Sequence, residues 1–515
     1  MSSAAACIII DPASTGAVLA HTVASDFPDT LSMVCVWSDV IPDGIKQHVQ
    51  QGLEVQYVAV VQHVAGELAS TVAQVRALGL DVCSVMVGCE TGVNLNDELC
   101  DALGLVGNSI AHTALRRDKY LQTEAVRDSG LNAMMQVQAV SEAEVESFIE
   151  QRTIDGAFQK SVVKPVEGAG SDGVSLCDTA DEVRAAFRAL NGSTNVLGLT
   201  NNGALLQEFL QGDEFVIDTV SLGGEHKCVA LWVYDKRYVG PDAPVVYYGM
   251  HCLETTSDPH HLEMVEYVFG VLDAIGFSHG AAHSEVKLET RGPVLIEVNC
   301  RLHGGEGTWL PVAMAAAGYT QVTALIDASL RPEAFGRLPA QPVALQQHGA
   351  WVTVRSTVEG EISRVDEARL QSMRALGSFN NDYLPDKLKP GNHIVRTTDA
   401  CTVHGCVNLV HADKAAYLRD YEEAQRLMDL GLFEVKGAAP AELEPAAGGG
   451  DGAGAARPAS SDEAPLVLPK YVVSPKTSRP GFMALSVHHA NEHFFRTANV
   501  PVREFYRQRR GMHWP

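Results

Sequence analysis

The sequence lacks the patterns that mark several common kinds of functional site. Its eleven cysteines include no C-x-x-C pair and no zinc-ligand spacing, so we expect reduced thiols rather than a disulfide framework or a zinc centre. No Gly-x-x-x-x-Gly-Lys-Ser/Thr sequence occurs, which excludes a P-loop. No Met-Lys-Met occurs either, so a biotin-attachment segment is excluded. No run of about 18 apolar residues is present, so no membrane span is predicted.

Basic residues are also in deficit. The chain has 39 Lys and Arg against 63 Asp and Glu, a formal charge of −24, which argues against nonspecific binding of nucleic acid by the body of the protein. The N-terminus has neither a basic n-region nor an Arg-rich presequence, so we expect no targeting peptide and a cytoplasmic location. The 515 residues suffice for about three domains of ordinary composition.

The most informative segment runs from Gly292 to Gly305. It places Glu297, Asn299 and Arg301 at alternating positions after an apolar strand, so the three side chains share one face. A carboxylate, an amide oxygen and a guanidinium are costly to bury together unless a metal and an anion are present. The segment therefore indicates a site rather than a simple strand.

A second carboxylate, Glu285, lies in a neighbouring alternating segment that a polar Gly-Pro turn joins to the first. Folding this antiparallel hairpin brings Glu285 opposite Glu297 or Asn299. Hard oxygen ligands at that spacing suit Mg²⁺, which fills the rest of its octahedron with phosphates and water. The alternative is a surface hairpin with incidental acids.

A Gly-rich loop follows a strand that ends at Lys164. Residues 168–173 match the dinucleotide fingerprint letter for letter, but a short strand rather than a helix follows. The match therefore does not indicate a Rossmann dinucleotide site. We predict a flap whose backbone N–H groups, at Gly168, Gly170 and Ser171, fold over phosphates. Alone, this segment is equally compatible with an ordinary Gly-rich hairpin.

A third segment has the form of an adenosine site. A strand leads to Glu208 and Leu210, then to a turn at Gly212, and then to Glu214 on the next strand. The free backbone groups of a short linker can bind an adenine edge, and a carboxylate six residues on can accept both ribose hydroxyls. Taken by itself, the segment would instead favour a hairpin with solvated acids.

Together these segments resemble the ATP-grasp superfamily, over about residues 5 to 430. The segments that carry the resemblance are Arg117–Tyr120, Val163–Pro165, residues 168–173, Gln207–Glu214, Glu285 and Glu297–Arg301. The branch that fits is that of the carboxylate–amine ligases, which includes L-amino acid ligases and carnosine-synthase-like enzymes. Biotin carboxylases continue after the Arg with Gln-Val-Glu-His, where this chain has Leu-His-Gly-Gly-Glu. The difference points away from bicarbonate and towards an amino acid or small organic acid.

The resemblance implies an α/β and α+β fold, with an N-terminal three-layer α/β domain followed by a two-lobed ATP-grasp fold that holds ATP between its lobes. It implies that Lys119 and Lys164 contact the ATP phosphates and that Arg301 faces the carboxyl substrate and its acyl phosphate. The metal would be Mg²⁺, with Mn²⁺ as the alternative. The other implied contacts are Glu208 and Leu210 to adenine, Glu214 to ribose, and Glu285, Glu297 and Asn299 to the metal.

The predicted segments are an N-terminal α/β domain (1–112), an ATP-grasp domain (113–330), a small β-rich lobe (331–436), a flexible linker (437–466) and a basic, aromatic tail (467–515). The tail has eight Lys and Arg against two Glu, a net charge of 8 − 2 = +6. It could dock on the acidic body, stay disordered, bind a partner, or touch nucleic acid or membrane.

The expected activity is ADP-forming ligation of a small-molecule carboxylate to an amine through an acyl phosphate. The sequence leaves the oligomeric state open, and the resemblance makes a homodimer one possibility. Two side chains, His303 and Glu306, are candidates for the general base by position only. The rival functions are a biotin-independent carboxylase, another acid–amine ligase such as one of purine synthesis, and a catalytically inactive module that binds nucleotide or tethers a partner.

Overall fold

A computed structural model describes residues 4–46, 55–166, 173–194, 200–237 and 245–437. The predicted flap residues Gly168, Gly170 and Ser171 lie outside these ranges. So do the predicted tail and, apart from its first residue, the predicted linker. Within the described ranges, no helix is both long and apolar enough to cross a membrane.

The N-terminal part is a parallel sheet with helices on both faces. Its strands are β1 (Ala5–Ile10), β2 (Ser32–Trp37), β3 (Ala59–Gln62) and β4 (Asp81–Val87), in the order β3-β2-β1-β4. Its helices are α1 (Thr15–Asp26), α2 (Leu68–Ala77) and α3 (Val93–Leu103). Strands β1 and β2 are buried apolar runs, as expected for strands covered on both faces. The predicted three-layer α/β arrangement is confirmed.

The strand order of this sheet reverses between β1 and β4. In open α/β sheets, the carboxyl ends of two such strands form a crevice where side chains from the following loops converge. Asp11 and Ser14 follow β1, and Glu90 follows β4, so all three lie at this edge. The edge faces the rest of the molecule, since Thr15 contacts the loop at His303 and Gly304.

A helix and a small antiparallel sheet follow. Helix α4 (Lys119–Asp128) begins at Asp118, whose carboxylate accepts hydrogen bonds from two free N–H groups of the first turn. The following strands are β5 (Gln136–Ala139), a short hairpin of β6 (Thr153–Ile154) and β7 (Ala157–Phe158), β8 (Ser161–Lys164), β9 (Ser175–Cys177) and β10 (Ala204–Glu208). The small sheet has the order β5-β10-β8-β9, and it packs on α5 (Glu142–Gln151) and α6 (Ala180–Leu190).

The largest element is an eight-stranded sheet. Its strands are β11 (Glu214–Leu222), β12 (Glu225–Arg237), β13 (Val246–Leu253), β14 (Gly280–Glu289), β15 (Gly292–Asn299), β16 (His348–Thr353), β18 (Phe379–Tyr383) and β20 (Cys406–His411). Their order across the sheet is β15-β14-β11-β12-β13-β16-β20-β18. The helices that follow β13 and β15 are α7 (Pro259–Ala274), α8 (Leu310–Ala317), α9 (Gln321–Leu330) and α10 (Pro332–Arg337). Helix α7 covers one face, and α8 and α9 cover the other.

The C-terminal part completes this sheet and adds a smaller one. The remaining elements are β17 (Gly360–Val365), α11 (Glu367–Arg374), β19 (His393–Ile394), α12 (Lys414–Asp429) and β21 (Phe433–Val435). A three-stranded sheet has the order β19-β17-β21. Strands β16, β18 and β20 come after the predicted boundary at residue 330, yet they extend the sheet that begins before it. The boundary therefore divides the sequence but not the sheet.

A buried ion pair joins the N-terminal part to the segment that leads into α4. Arg116 is fully buried, and its Nη2 lies 2.7 Å from Asp97 Oδ2. Its Nη1 donates hydrogen bonds to the backbone oxygens of Ile275 and Gly276.

We expect Arg116→Leu to lower the free energy of unfolding by about 3–5 kcal/mol, because it leaves a buried carboxylate without its cation.

Chemical denaturation would measure this loss. The matched control is Arg426→Leu, which removes an exposed arginine paired with Glu423, and we expect a change below about 1 kcal/mol. Equal effects of the two substitutions would contradict a structural role for the buried pair.

Candidate active site

The two predicted metal-binding carboxylates face each other across a hairpin. Glu285 on β14 pairs with Glu297 on β15, and a bulge next to this pair adds one residue to β15. The Nδ2 of Asn299 donates a hydrogen bond to Glu297 Oε1 at 3.1 Å, which leaves the amide oxygen of Asn299 as a potential ligand. The predicted hairpin is therefore present, and it brings the three oxygen-bearing side chains together.

Four cations surround these carboxylates. Burial alone would raise the pKa of Glu297, but Lys119 and Lys164 hold that pKa below its usual range. Burial acts in the same way on Glu285, where contacts with His283 and Lys236 outweigh it and lower the pKa. Both carboxylates are therefore ionised at neutral pH.

Two lysines of this group, Lys119 and Lys164, differ in their contacts. Lys119 Nζ lies 2.8 Å from Glu297 Oε2, and this partner keeps the pKa of Lys119 raised despite burial. Lys164 is 8% exposed, and burial together with nearby Lys119 lowers its pKa to about 8. Within the described ranges, no hydrogen bond or ion pair to the Nζ atom of Lys164 is present, whereas its backbone pairs with Leu205 of β10. A buried ammonium of this kind is suited to an anionic ligand such as a phosphate.

The donor set fits a hard divalent cation. Two ionised carboxylates and an amide oxygen are the ligand types that Mg²⁺ takes, with phosphate and water in its other positions. Like charges this close require compensation, and the lysines and His283 provide it. The residues present therefore fit Mg²⁺.

The predicted adenine segment lies in an apolar pocket beside this hairpin. Leu210 is buried against Met134, Val294 and Ile296. The carboxylate of Glu208 accepts a hydrogen bond from the Met135 N–H at 2.8 Å and one from Arg291 at 2.5 Å. Because the side chain of Glu208 is engaged in this way, its backbone carbonyl is the better of the two predicted adenine contacts.

The predicted ribose carboxylate, Glu214, is nearly buried at the start of β11. It pairs with Lys236, and Lys287 Nζ lies 3.7 Å from its other oxygen. The ammonium of Lys236 also lies over the rings of Tyr234 and Tyr247, at 4.5 and 4.3 Å from their centres. Glu214 is thus held by lysines rather than solvated.

The predicted substrate arginine is held by a residue of the N-terminal sheet. Arg301 Nε lies 2.9 Å from Glu90 Oε2, and Arg117 pairs with the other oxygen of the same carboxylate. Glu90 lies at the carboxyl end of β4, so the N-terminal part fixes the direction of Arg301. The sequence analysis missed Glu90, because its partners are 27 and 211 residues away in the chain.

A buried histidine pair adjoins the carboxylate hairpin. Asp218 Oδ1 lies 3.1 Å from His283 Nδ1, and its Oδ2 lies 3.0 Å from His303 Nδ1. The Nε2 of His283 faces Glu285 Oε1 at 3.3 Å, and Trp232 donates a hydrogen bond to Asp218 at 2.9 Å. The sequence analysis missed Asp218 and His283, although one acid within the apolar run of β11 was a signal that it is paired.

The loop after Arg301 contains a second unusual carboxylate. Glu306 has a positive φ of 57°, which is strained for a residue other than glycine. Its N–H donates to Ser14 Oγ at 3.3 Å, and its Oε2 is buried with no hydrogen-bond partner among the described residues. Burial raises the pKa of Glu306 to about 7.

Comparison with known proteins places these features in a family context. Residues 158–309 match the family model of the ATP-grasp domain. The matched segment runs from the strand before Lys164 to Trp309, so it includes the lysine, the adenine segment and the carboxylate hairpin.

Two curated relatives are synthases. Over 309 residues, the chain is 29% identical to dapdiamide A synthase of Enterobacter agglomerans, with 59% of this chain and 71% of the relative covered. Over 339 residues, it is 28% identical to human carnosine synthase 1, with 62% of this chain and 39% of the relative covered. The chain therefore spans well under half the length of the human relative.

Two solved structures are similar in fold. The L-amino acid ligase of Bacillus licheniformis has a TM-score of 0.63 at 16% identity, with 85% of this chain and 100% of that chain covered. The biotin carboxylase domain of 2-oxoglutarate carboxylase from Hydrogenobacter thermophilus, solved with MgADP and bicarbonate, has a TM-score of 0.51 at 13% identity, with 78% and 85% covered. Identities this low show the fold alone, and they confirm the predicted fold class.

The raised pKa of Glu306 predicts a stability that depends on pH. The folded protein keeps a proton on Glu306 up to a pH of about 7, whereas the unfolded chain loses it near the ordinary glutamate pKa of 4.5. Stability therefore falls as pH rises through this window, by as much as about 3 kcal/mol. We expect Glu306→Gln to stabilise the protein at pH 8 and to change it little at pH 4.5.

The measurement is the difference in unfolding free energy between variant and wild type at the two pH values. Glu333→Gln, at an exposed position on α10, is the matched control and should leave the difference unchanged. A stabilisation by Glu306→Gln that is the same at both pH values would show that the pKa of Glu306 is not raised in the folded protein.

Proposed function

Since this chain carries an ATP-grasp domain, we propose that it is an ADP-forming ligase that joins a carboxylate to an amine through an acyl phosphate. The carboxylate would come from an amino acid or a small organic acid. The observation that carries the proposal is the pairing of two partly buried carboxylates, Glu285 and Glu297, within a group of lysines.

The first step of the proposed reaction transfers the γ-phosphoryl group of ATP to the substrate carboxylate. Lys119 and Lys164 would contact the phosphates and stabilise the negative charge that spreads over the transferring group. The apolar cluster around Leu210 would hold adenine, and Glu214 would hold the ribose. Bound Mg²⁺, held by Glu285, Glu297 and Asn299, would offset the charge of the triphosphate.

The second step forms the amide. Arg301, directed by Glu90, would bind the carboxyl oxygen and then stabilise the oxyanion that develops when an amine attacks the acyl phosphate. An acyl phosphate hydrolyses readily, so water must be excluded during this step. The predicted role of the flap residues Gly168, Gly170 and Ser171 is to close over the phosphates.

The names of the relatives support an amide-forming function. Dapdiamide A synthase and carnosine synthase are named for their products, and the L-amino acid ligase is named for its substrates. We propose the same general chemistry for this chain, with its own acid and amine. A homodimer, a cytoplasmic location and the use of Mn²⁺ in place of Mg²⁺ stay predictions.

A biotin-independent carboxylase and an inactive nucleotide-binding module are the rival functions. A carboxylase would form its acyl phosphate from bicarbonate, and its product would gain carbon dioxide rather than lose water. An inactive module would have no use for a partly buried, charge-compensated carboxylate pair, whose assembly costs free energy. The products distinguish all three.

Release of ADP and phosphate with Mg-ATP, measured against amino acids singly and in pairs, tests the proposed function. We expect release with particular pairs only, together with a product one water lighter than their sum in the mass spectrum. Release that requires bicarbonate would instead establish a carboxylase. ATP binding without turnover on any acid, amine or bicarbonate would favour the inactive module.

Removing one metal-binding charge tests the site itself. We expect Glu297→Gln to lower kcat by about 100-fold or more, because it weakens metal binding and leaves Lys119 without its partner. The control is Glu225→Gln, at an exposed position at the start of β12, which should retain full turnover. Undiminished turnover of Glu297→Gln would show that the metal assignment is wrong.

A further inference from the structure

The proposed function leaves the proton of the attacking amine without an acceptor. We propose that His303 accepts this proton at Nε2, and that Asp218 is the positioning residue that keeps Nε2 unprotonated and in place. This inference rests on the proposed function, because it assigns a residue to the amide-forming step.

Asp218 determines which nitrogen of His303 carries a proton. It is fully buried on β11, and its two oxygens accept hydrogen bonds from Trp232, His283 and His303. An ionised carboxylate only accepts hydrogen bonds, so Nδ1 of His303 must be the protonated nitrogen. The lone pair of the neutral ring is therefore on Nε2.

Contacts on every side fix the ring of His303. It stacks on Trp309 with ring centres 4.8 Å apart, and its ring centre lies 4.1 Å from that of His283. The backbone N–H of His303 donates to Gln321 Oε1 at 2.8 Å, and its backbone oxygen accepts a hydrogen bond from Thr15 at 2.5 Å. A ring held in this way has a defined direction for its free nitrogen.

Among the described residues, nothing competes for the free nitrogen. No hydrogen bond to His303 Nε2 is present within the described ranges, and the residue is buried, with 7% of its surface exposed. His303 comes two residues after Arg301, and its ring neighbour His283 contacts Glu285. Its ring is therefore linked through one neighbour to the carboxylates that are proposed to hold the metal.

The charges around His303 favour its neutral form. Burial lowers its pKa, Asp218 opposes this, and the cations His283 and Arg301 lower it further, so the net shift is downward. The ring is therefore neutral at pH 7 and able to accept a proton. His283 cannot play this part, because both of its nitrogens face carboxylates.

The proposed step balances as follows. The amine nitrogen forms a bond to the acyl carbon, and the carbonyl oxygen takes on negative charge beside Arg301. The positively charged nitrogen then loses one proton to His303 Nε2. The C–O bond to phosphate breaks, phosphate leaves with the electron pair, and His303 returns its proton to phosphate or to solvent.

Replacing His303 by Asn separates positioning from proton transfer. The amide nitrogen of Asn can still donate to Asp218, but nothing replaces the lone pair of Nε2. The first reaction is hydroxamate formation from Mg-ATP, each of the twenty amino acids and hydroxylamine, which attacks acyl phosphates without a base. The second is ligation of the same amino acids to one another, followed by mass detection of the product.

We expect His303→Asn to keep hydroxamate formation within about threefold of wild type and to lower ligation by 100-fold or more, the range of general base catalysis. Asp218→Asn should shift the ratio of the two rates in the same direction, because it no longer enforces the tautomer. Added imidazole should restore part of the ligation lost in His303→Ala. The exposed Glu225→Gln should keep both rates.

Equal loss of both rates in His303→Asn would show that the ring is only structural, and unchanged ligation would show that it is no base. A selective loss of ligation in Glu306→Gln would assign the proton to Glu306 instead. If the wild type forms no hydroxamate with any amino acid but ligates other acids, the substrate class is wrong and the same comparison is run with those acids. If it forms no acyl product at all, the proposed function and this inference both fail.

Discussion

The structure depends on the compensation of two partly buried carboxylates that face each other across a hairpin. Glu285 and Glu297 repel one another, and their partial burial strengthens this repulsion because less water screens it. Lysines from α4, β8 and β12 and a histidine from β14 must all reach this point for both acids to stay ionised. The chain therefore brings the small sheet, the large sheet and the entry helix together around one centre of negative charge.

Hydrogen bonds extend this organisation away from the Glu285–Glu297 pair. One series runs from Glu285 through His283 and Asp218 to His303, and a second connection joins Arg301 to Glu90 on the N-terminal part. Both reach the loop that begins after β15. The position of that loop is thus set from two sides, by the interior of the large sheet and by the edge of the N-terminal sheet.

Local patterns predicted much of the fold and part of the candidate site. The hairpin that pairs Glu285 with Glu297 was predictable, because alternation and a polar turn are features of one short stretch of sequence. The contacts of Asp218, Glu90 and Arg116 were not, since their partners lie far away in the chain and only the assembled fold brings them together. The continuity of the large sheet across residue 330 was equally unpredictable, because the sequence of one strand does not indicate which distant strand it pairs with.

The continuous eight-stranded sheet limits how the molecule can open for nucleotide. Strands from before and after residue 330 are joined by one ladder of hydrogen bonds, so they form a single rigid frame. In the proposed reaction, any opening for ATP would therefore move the small sheet that carries Lys164 rather than bend this frame. Gly212 lies where the chain passes from the small sheet to the large one, and only glycine fits there, because its φ is 91° and a Cβ would lie 2.4 Å from the Leu288 backbone oxygen.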